Sequence, residues 1–395
     1  MNSLKPEYRL LLSSVKICPS SEEIFNINQL ILEIEDWENL TKTAISNQVA
    51  PLFFEKIALV PNKVIIPSEV VHRLKQACYM TLSRNMLLVD HFRKIIKEFT
   101  DIGIPVIALK GIYLSDCLYK NIGLRQLSDI DLLVKEDEGS KCVQKLLDMG
   151  YRSSELKYSE FIKQNSEYVH YPPMILRGVS IELHTKLHLS SEPFHLHIGK
   201  IWEHSFETNI NGVVARSLQI YDLLIYICIH IDKHFRNGKI QFTGFYDITN
   251  LLTQESDRFN WKSLIDTCNE YNTLVPTFRY ILLANKYMNA PVPDDIITRY
   301  SKMMSVQDER RFLDYFQGNT FHPDLVHNAF GNIKNISGTS GKIKFIFDYA
   351  FPSKEFIRSN YDLKRNSAIY KYYFIRLYMG LISTLKYFFD NRKIS

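Results

Sequence analysis

The sequence contains little that would place the protein in a membrane or outside the cell. No stretch approaches the ~20 consecutive apolar residues that a bilayer-spanning helix needs. The first residues, MNSLKPEYRLLLSSVK, lack the long apolar segment of a secretory signal. The six cysteines are scattered and form no CxxC pair, which is typical of proteins in a reducing compartment. We therefore expect a cytoplasmic protein without a membrane span.

The sequence also lacks a strong excess of charge of either sign. Lys and Arg total 48 against 43 Asp and Glu, a formal net charge of +5, which is too weak to indicate nucleic-acid binding by itself. We find no internal repeat and no low-complexity segment. With 395 residues, 46% of them hydrophobic, the chain can bury a sizeable core, and at roughly 150 residues per domain it suggests two or three domains.

Hydrophobic periodicity divides the chain into three regions. Residues 1–100 are predicted to be helical, because apolar side chains recur at helical spacing, most clearly from Leu74 to Phe99. Residues 101–192 are predicted to form a small mixed core with strands at Ile104–Leu109, at 129–134 and at Val179–Leu187. Residues 193–395 return to helical patterns. The expected fold class is therefore α+β, with a mixed sheet flanked by helical regions.

Two aspartates stand at the start of the second predicted strand. Asp129 and Asp131 flank one isoleucine and lead into an apolar run, and alternate residues of a strand project to the same face. An unpaired buried carboxylate costs several kcal/mol, so either the charges lie in solvent or a cation binds between them. Paired carboxylates suit Mg²⁺ bound together with nucleotide phosphates. Glu182, on a later predicted strand, is the best-placed third carboxylate.

A lysine and a glycine stand where the first predicted strand turns into a helix. Gly111 would allow a phosphate to approach the backbone N–H groups at the helix start, and Lys110 adds a positive charge. Arg125, shortly before the aspartates, is a second candidate cation. The lysine–glycine pair alone is a weak signal, whereas its combination with the downstream aspartates is much more specific.

Histidines form two further patterns. Five of them lie between His184 and His204, a density that invites a zinc interpretation, but no cysteine or HExxH pattern accompanies them and polar surface is favoured. His184 differs because it shares the predicted strand face of Glu182, where it could touch substrate or metal-bound water. Polar residues also recur every four positions along one predicted helix: Asp222, Tyr226, His230 and His234. This stripe either faces solvent or closes over a substrate-binding cleft, where it would contact the base or the acceptor.

The segment LKGIYLSDCLYKNIGLRQLSDIDLLV, from Leu109 to Val134, resembles the signature of the nucleotidyltransferase superfamily that includes DNA polymerase β and aminoglycoside nucleotidyltransferases. More narrowly, it resembles a bacterial family of uncharacterised nucleotidyltransferases, as do the later segments IELHTKL, YDLLIYICIHIDKHF, FYDITNLL and FPSKEFIRSNY. The resemblance covers most of the chain. It differs at Lys110-Gly111-Ile112, where the superfamily has glycine–serine or two glycines, and at Glu182, where the narrower family usually has aspartate.

The resemblance implies a nucleotidyltransferase-like core and a set of site residues. It implies that two Mg²⁺ ions and a nucleoside triphosphate bind. The implied catalytic and metal-binding residues are Asp129, Asp131 and Glu182, and Glu182 would act either as a metal ligand or as a base. The implied nucleotide-binding residues are Lys110, Gly111, Arg125, Ser128, His184, His230 and His234.

Asp129 and Asp131 are two like charges close together. We therefore expect Asp131→Asn, which removes one of them, to keep or raise the melting temperature.

The implied reaction is transfer of a nucleoside monophosphate to a hydroxyl of an unidentified small molecule, peptide or protein. One alternative acceptor is RNA, such as a tRNA end, slightly favoured by the basic cluster Lys233, Arg236 and Lys239. Another alternative is a degenerate relative that only binds a nucleotide or a partner protein. The intact pair of aspartates favours the enzyme over this second alternative.

Overall fold

We describe the protein from a computed structural model, in which residues 4–153, 169–188, 192–236, 240–318 and Tyr373 are described. The chain divides into two compact units, residues 1–232 with 240–320 and residues 233–239 with 321–395. The elements below belong to the first unit, apart from the last residues of one helix. None of the helices in the described ranges is long and apolar enough to cross a membrane.

The described residues form fourteen α-helices and one mixed seven-stranded sheet. The helices are α1 (Pro6–Ser13), α2 (Ser21–Leu32), α3 (Trp37–Ser46), α4 (Ala50–Ile57), α5 (Ser68–Asp101), α6 (Lys110–Cys117), α7 (Gly139–Asp148), α8 (Ile198–His204), α9 (Ile220–Arg236), α10 (Thr243–Glu255), α11 (Trp261–Glu270), α12 (Leu274–Met288), α13 (Asp294–Tyr300) and α14 (Val306–Phe316). Two short 3₁₀ helices span Pro61–Ile65 and Ser301–Met303.

The strands are β1 (Ile107–Ala108), β2 (Ile130–Leu133), β3 (Arg152–Ser153), β4 (Met174–Leu176), β5 (Val179–His184), β6 (Phe206–Ile210) and β7 (Val213–Ser217). They lie in the order β3-β4-β5-β2-β1-β7-β6. The central strand β2 runs parallel to β5 and antiparallel to β1. The α+β fold class predicted from the sequence is confirmed.

One face of the sheet packs against the second half of α5. Phe92 and Phe99 from α5 are fully buried and join one hydrophobic cluster with Ile130, Leu132 and Ile181 of the central strands. Since side chains alternate along a strand, the residues between these apolar positions face the other side of the sheet. The packing of α5 therefore fixes which face of β2 and β5 carries the polar groups.

The helix α5 matches the sequence prediction and extends it at both ends. It ends just before Gly103, whose φ of 73° lies in the left-handed region that glycine favours. The helical interpretation of all residues after Pro193 was wrong in one place, because β6 and β7 form an antiparallel hairpin that continues the sheet. Asn211 and Gly212, both with positive φ, form its turn, and an Asn-Gly pair is a strong local signal for such a hairpin.

Candidate functional site

Asp131 and Glu182 occupy matching positions on neighbouring strands. In the parallel pairing of β2 with β5, Asp131 is the direct partner of Glu182, and Leu133 is the partner of His184. Partners in register project to the same side of a sheet, here the side opposite α5. The structure therefore brings together the carboxylates that the sequence analysis took from strands about fifty residues apart.

Asp131, Glu182 and His184 form the group most suited to a divalent cation. Each offers one ligand atom, and these atoms lie within 4.8 Å of one another. The His184 Nε2 atom is 2.9 Å from Asp131 Oδ1 and 3.6 Å from Glu182 Oε2. Carboxylate oxygens and imidazole nitrogens both bind divalent metals, so the donor set fits a cation. The predicted ligand Asp129 lies outside this compact group, and of the five clustered histidines only His184 belongs to it.

Lys110 holds the other oxygen of the Asp131 carboxylate. Its Nζ atom lies 3.1 Å from Asp131 Oδ2 and 3.2 Å from His230 Nδ1, and it sits 5.4 Å from the centre of the Tyr226 ring. Burial lowers the pKa of Lys110, but the Asp131 charge outweighs this and raises the pKa above its usual value, so the ammonium stays charged. The ammonium has three N–H donors, so a phosphate could share it with Asp131 or replace Asp131 as its partner.

The backbone at Lys110 is unusual for a residue with a side chain. Its φ is 36°, in the positive region that L-residues seldom adopt. Such a conformation costs on the order of 1–3 kcal/mol and persists where the surroundings impose it, often at functional sites. Here it places the first residue of α6 so that its ammonium reaches Asp131 on the adjacent strand.

The two aspartates have pKa values shifted in opposite directions. Burial, and then the neighbouring charge of Asp131, raise the pKa of Asp129 to about 6. Burial also acts to raise the pKa of Asp131, but Lys110 and the hydrogen bond from His184 outweigh it and lower the pKa below its usual range. Asp131 is therefore a fixed anion, whereas Asp129 takes up a proton as the pH falls through about 6. Opposite shifts in adjacent acids are frequent at functional sites.

Hydrogen bonds hold two further carboxylates beside Asp131, those of Asp129 and Glu182. The Ser128 hydroxyl donates to Asp129 Oδ1 over 2.8 Å, and Arg84 of α5 donates to the Ser128 carbonyl. A hydrogen bond from His184 lowers the pKa of Glu182 below its usual value. Glu182 is therefore anionic at neutral pH.

Arg125 is fixed by an acid that is distant in sequence. Its Nε and Nη2 atoms donate to the two carboxylate oxygens of Asp247 over 2.8 and 2.7 Å, and the Tyr119 hydroxyl also donates to Asp247, over 3.0 Å. The third guanidinium nitrogen, Nη1, would lie 2.8 Å from a Cβ atom on Gly111. The absence of a side chain at Gly111 thus allows Arg125 to approach the turn beside Lys110.

The polar stripe of α9 turns inward rather than toward solvent. Tyr226 is buried and His230 is half-buried, and both contact Lys110. Asp222, two turns before His230 in α9, is also buried. It accepts a hydrogen bond from the Tyr271 hydroxyl, and its Oδ2 atom lies 3.6 Å from His204 Nδ1. The solvent-facing interpretation of this stripe is therefore wrong for Asp222 and Tyr226. His234 lies one turn beyond His230 along α9.

A cleft opens beside Asp131, between the β1–α6 turn and helices α9 and α10. Counted with its open mouth it holds about 690 Å³, within the usual range for ligand pockets. Most of the predicted site residues line it, together with residues that the sequence analysis missed. The predicted lining residues are Lys110, Gly111, Arg125, Ser128, Asp129, Asp131 and His230, and the missed ones are Gln48, Gln126, Gln241, Thr243 and Gly244.

His170 is another residue that the sequence analysis missed. It forms an isolated antiparallel bridge with His184 at the outer side of β5, and its Nε2 atom lies 3.9 Å from Glu182 Oε2. No motif in the sequence pointed to it, since no local pattern links His170 to Glu182. Its proximity to Glu182 depends on how the chain returns beside β5.

The fold and the site define an α+β protein in which an acidic, metal-compatible group adjoins a basic strand-to-helix turn, as phosphoryl-transfer chemistry requires. The model of a family described as uncharacterised nucleotidyltransferase matches residues 33–289, more than half of the chain. The chain belongs to this family and is a nucleotidyltransferase that uses a nucleoside triphosphate. No curated protein and no solved structure matches the chain.

Proposed function

We propose that the protein transfers a nucleoside monophosphate from a nucleoside triphosphate to a hydroxyl of a small molecule, peptide or protein, with Mg²⁺ as cofactor. The observation that carries the proposal is the register of Asp131 with Glu182 beside Lys110. Asp131 thereby belongs to the candidate metal site and also contacts Lys110, the candidate phosphate-binding lysine. We also infer a DNA polymerase β-like superfamily core, a bacterial origin and a cytoplasmic location.

Asp129, Asp131 and Glu182 would hold two Mg²⁺ ions in this proposal, with His184 orienting Asp131 through their 2.9 Å contact. When bound, Mg²⁺ neutralises phosphate charge and stabilises the charge that develops during transfer. Asp131 would use its oxygens as metal ligands, so Lys110 would leave this carboxylate and turn to the triphosphate. When Asp131 binds metal instead of Lys110, the lysine thus becomes available to the substrate.

Arg125 and the groups around it would bind and orient the triphosphate. Asp247 fixes the guanidinium through two bonds, so Arg125 contributes a positive charge at a constant position next to Gly111 and needs little reorganisation on binding. Ser128 holds Asp129, and His230 supports Lys110. We retain His234 as a candidate contact for the base or the acceptor.

In the transfer step, the acceptor oxygen attacks the α-phosphorus of the triphosphate and its proton passes to Glu182. The bond from the α-phosphorus to the bridging oxygen breaks, and pyrophosphate leaves toward Lys110 and the Gly111 turn. Glu182 can take up this proton because its lowered pKa leaves the carboxylate ionised and 26% of the side chain is exposed to the acceptor. Alignment and electrostatic stabilisation supply most of the acceleration in such a reaction.

The test is to incubate the protein with Mg²⁺, each labelled nucleoside triphosphate and a cell extract, and to identify the labelled product. We expect a labelled small molecule, peptide or protein, and labelled RNA would instead favour the RNA alternative. Glu182→Gln should keep nucleotide affinity and lose turnover. Asp129→Asn combined with Asp131→Asn should abolish transfer. An active double variant would contradict the proposed metal site.

A further inference from the structure

Two histidines extend the acidic group across the edge of β5. His170 and His184 are bridge partners, and their ring centres are 5.1 Å apart. His184 Nε2 lies 2.9 Å from Asp131 Oδ1 and 3.6 Å from Glu182 Oε2, and His170 Nε2 lies 3.9 Å from the same Glu182 oxygen. Two carboxylates, Asp131 and Glu182, and two imidazoles, His184 and His170, thus lie together where β5 pairs with β2.

The hydrogen bond at the other ring nitrogen fixes the tautomer of His170. Its Nδ1 atom lies 2.8 Å from the carbonyl oxygen of Tyr171, and a carbonyl can only accept, so Nδ1 carries the proton. In the neutral ring Nε2 then carries a lone pair, and it lies 3.9 Å from Glu182 Oε2. Two acceptor atoms at this distance repel each other, and a cation that both can bind, a proton or a metal ion, removes the repulsion.

The same arrangement is typical of histidines that bind metals. A metal-binding histidine usually donates its second ring N–H to a carbonyl or carboxylate, which fixes the orientation of the ring. The contact of His170 with the Tyr171 carbonyl has this form. His170 is also accessible to an ion, since 29% of its side chain is exposed, whereas His184 is buried.

We propose that Asp131, Glu182, His184 and His170 form a mixed nitrogen–oxygen site that prefers a first-row transition ion such as Mn²⁺ over Mg²⁺. The ion would displace the Nε2 proton that His184 donates to Asp131. This inference rests on the proposed function, because it concerns the metal preference of the same site. Mg²⁺ favours an octahedral shell of oxygen atoms and keeps several waters. Imidazole nitrogens favour the transition ions instead, so each histidine ligand shifts the preference away from Mg²⁺.

The first test measures Mn²⁺ binding through the electron paramagnetic resonance signal of the free ion, with Mg²⁺ as competitor. We compare the unaltered protein with His170→Gln and His184→Gln, and with His195→Gln as a control, since His195 is an exposed histidine of the same segment. Each of the first two variants should weaken Mn²⁺ binding by about tenfold or more and change Mg²⁺ binding much less. His195→Gln should change neither.

The second test asks directly whether nitrogen coordinates the ion. Pulsed electron paramagnetic resonance of bound Mn²⁺ should show coupling to ¹⁴N of imidazole in the unaltered protein, and this coupling should weaken in each of the two histidine variants. If His184→Gln does not fold, His170→Gln decides the outcome, because that side chain is partly exposed. Absence of ¹⁴N coupling in the unaltered protein would overturn the proposal.

Failure of this inference and failure of the proposed function give different results. If ¹⁴N coupling is absent and both variants keep the original ratio of Mn²⁺ to Mg²⁺ affinity, while the unaltered protein transfers nucleotide with Mg²⁺, only the mixed site is refuted. If ¹⁴N coupling is present but no nucleoside triphosphate supports transfer with either ion, the metal site stands and the proposed function fails.

Discussion

Loss of charge should have opposite effects on the stability of the protein at Asp129 and at Asp131. The folded state raises the pKa of Asp129 and lowers that of Asp131, so it disfavours the first charge and favours the second. Asp129→Asn should therefore raise the free energy of unfolding at neutral pH, and Asp131→Asn should lower it. The expectation from sequence, that Asp131→Asn keeps or raises the melting temperature, changes because Asp131 is the partner of Lys110.

The magnitude for Asp129 follows from its pKa, raised by burial and by Asp131 from 3.8 to about 6. At about 1.4 kcal/mol per pH unit this corresponds to roughly 3 kcal/mol, and partial exposure of the side chain reduces the effect to about 1–2 kcal/mol. Between these two pH values the folded state keeps a proton that the unfolded state has released. Stability conferred by this proton is therefore lost as pH rises through this range.

For Asp131 the sign is reversed, because its folded pKa is lowered by Lys110 and His184 against the effect of burial. Its charge stabilises the fold above the unfolded pKa, and that contribution is lost as pH falls through the folded value. Asp131→Asn also leaves the buried ammonium of Lys110 without its anion. Removal of one partner of a buried ion pair costs about 3–5 kcal/mol, so we expect a loss of this order at neutral pH.

The assay is urea denaturation in the presence of a chelator, followed by tryptophan fluorescence at about pH 5 and about pH 7.5. The gain from Asp129→Asn should be larger at the higher pH by roughly 1 kcal/mol. Asp137→Asn, at an exposed position of the loop after β2, is the matched control and should have little effect. A loss of stability in Asp129→Asn, or an equal gain at both pH values, would refute the reasoning.

Three further predictions concern the residues around the cleft. Lys110→Ala should weaken binding of a nucleoside triphosphate by about 1.5–3 kcal/mol and binding of a monophosphate less, as titration calorimetry would show; equal losses would argue against a phosphate contact. Gly111→Ala should destabilise the fold by about 1–3 kcal/mol, because its Cβ would lie 2.8 Å from Arg125 Nη1, whereas Gly199→Ala meets nothing within 4 Å and should not; thermal unfolding of both variants tests this. Asp247→Asn should cost about 3–5 kcal/mol in urea denaturation because it leaves the buried Arg125 unpaired, and Tyr119→Phe, which keeps the ion pair, should cost less; similar costs would refute the ion-pair argument.

The sequence by itself determined the elements whose signals are local. The helical spacing of apolar residues predicted α5. The apolar run that follows Asp129 and Asp131 predicted β2 and the acidic residues at its start. The α+β class and the family resemblance also followed from local patterns. The hairpin of β6 and β7 was missed although its Asn-Gly turn is a local signal, because the helical patterns on either side dominated the interpretation.

Only the tertiary structure decided which partner each charged side chain has. Arg125 pairs with Asp247 across 122 residues, and Lys110 contacts His230 across 120. His170 reaches Glu182 only because the chain returns beside β5. Periodicity in a sequence indicates the face on which a residue lies but contains no information about distant partners. Opposite pKa shifts in two aspartates one residue apart arise for the same reason, since burial and neighbouring charges exist only in the folded chain.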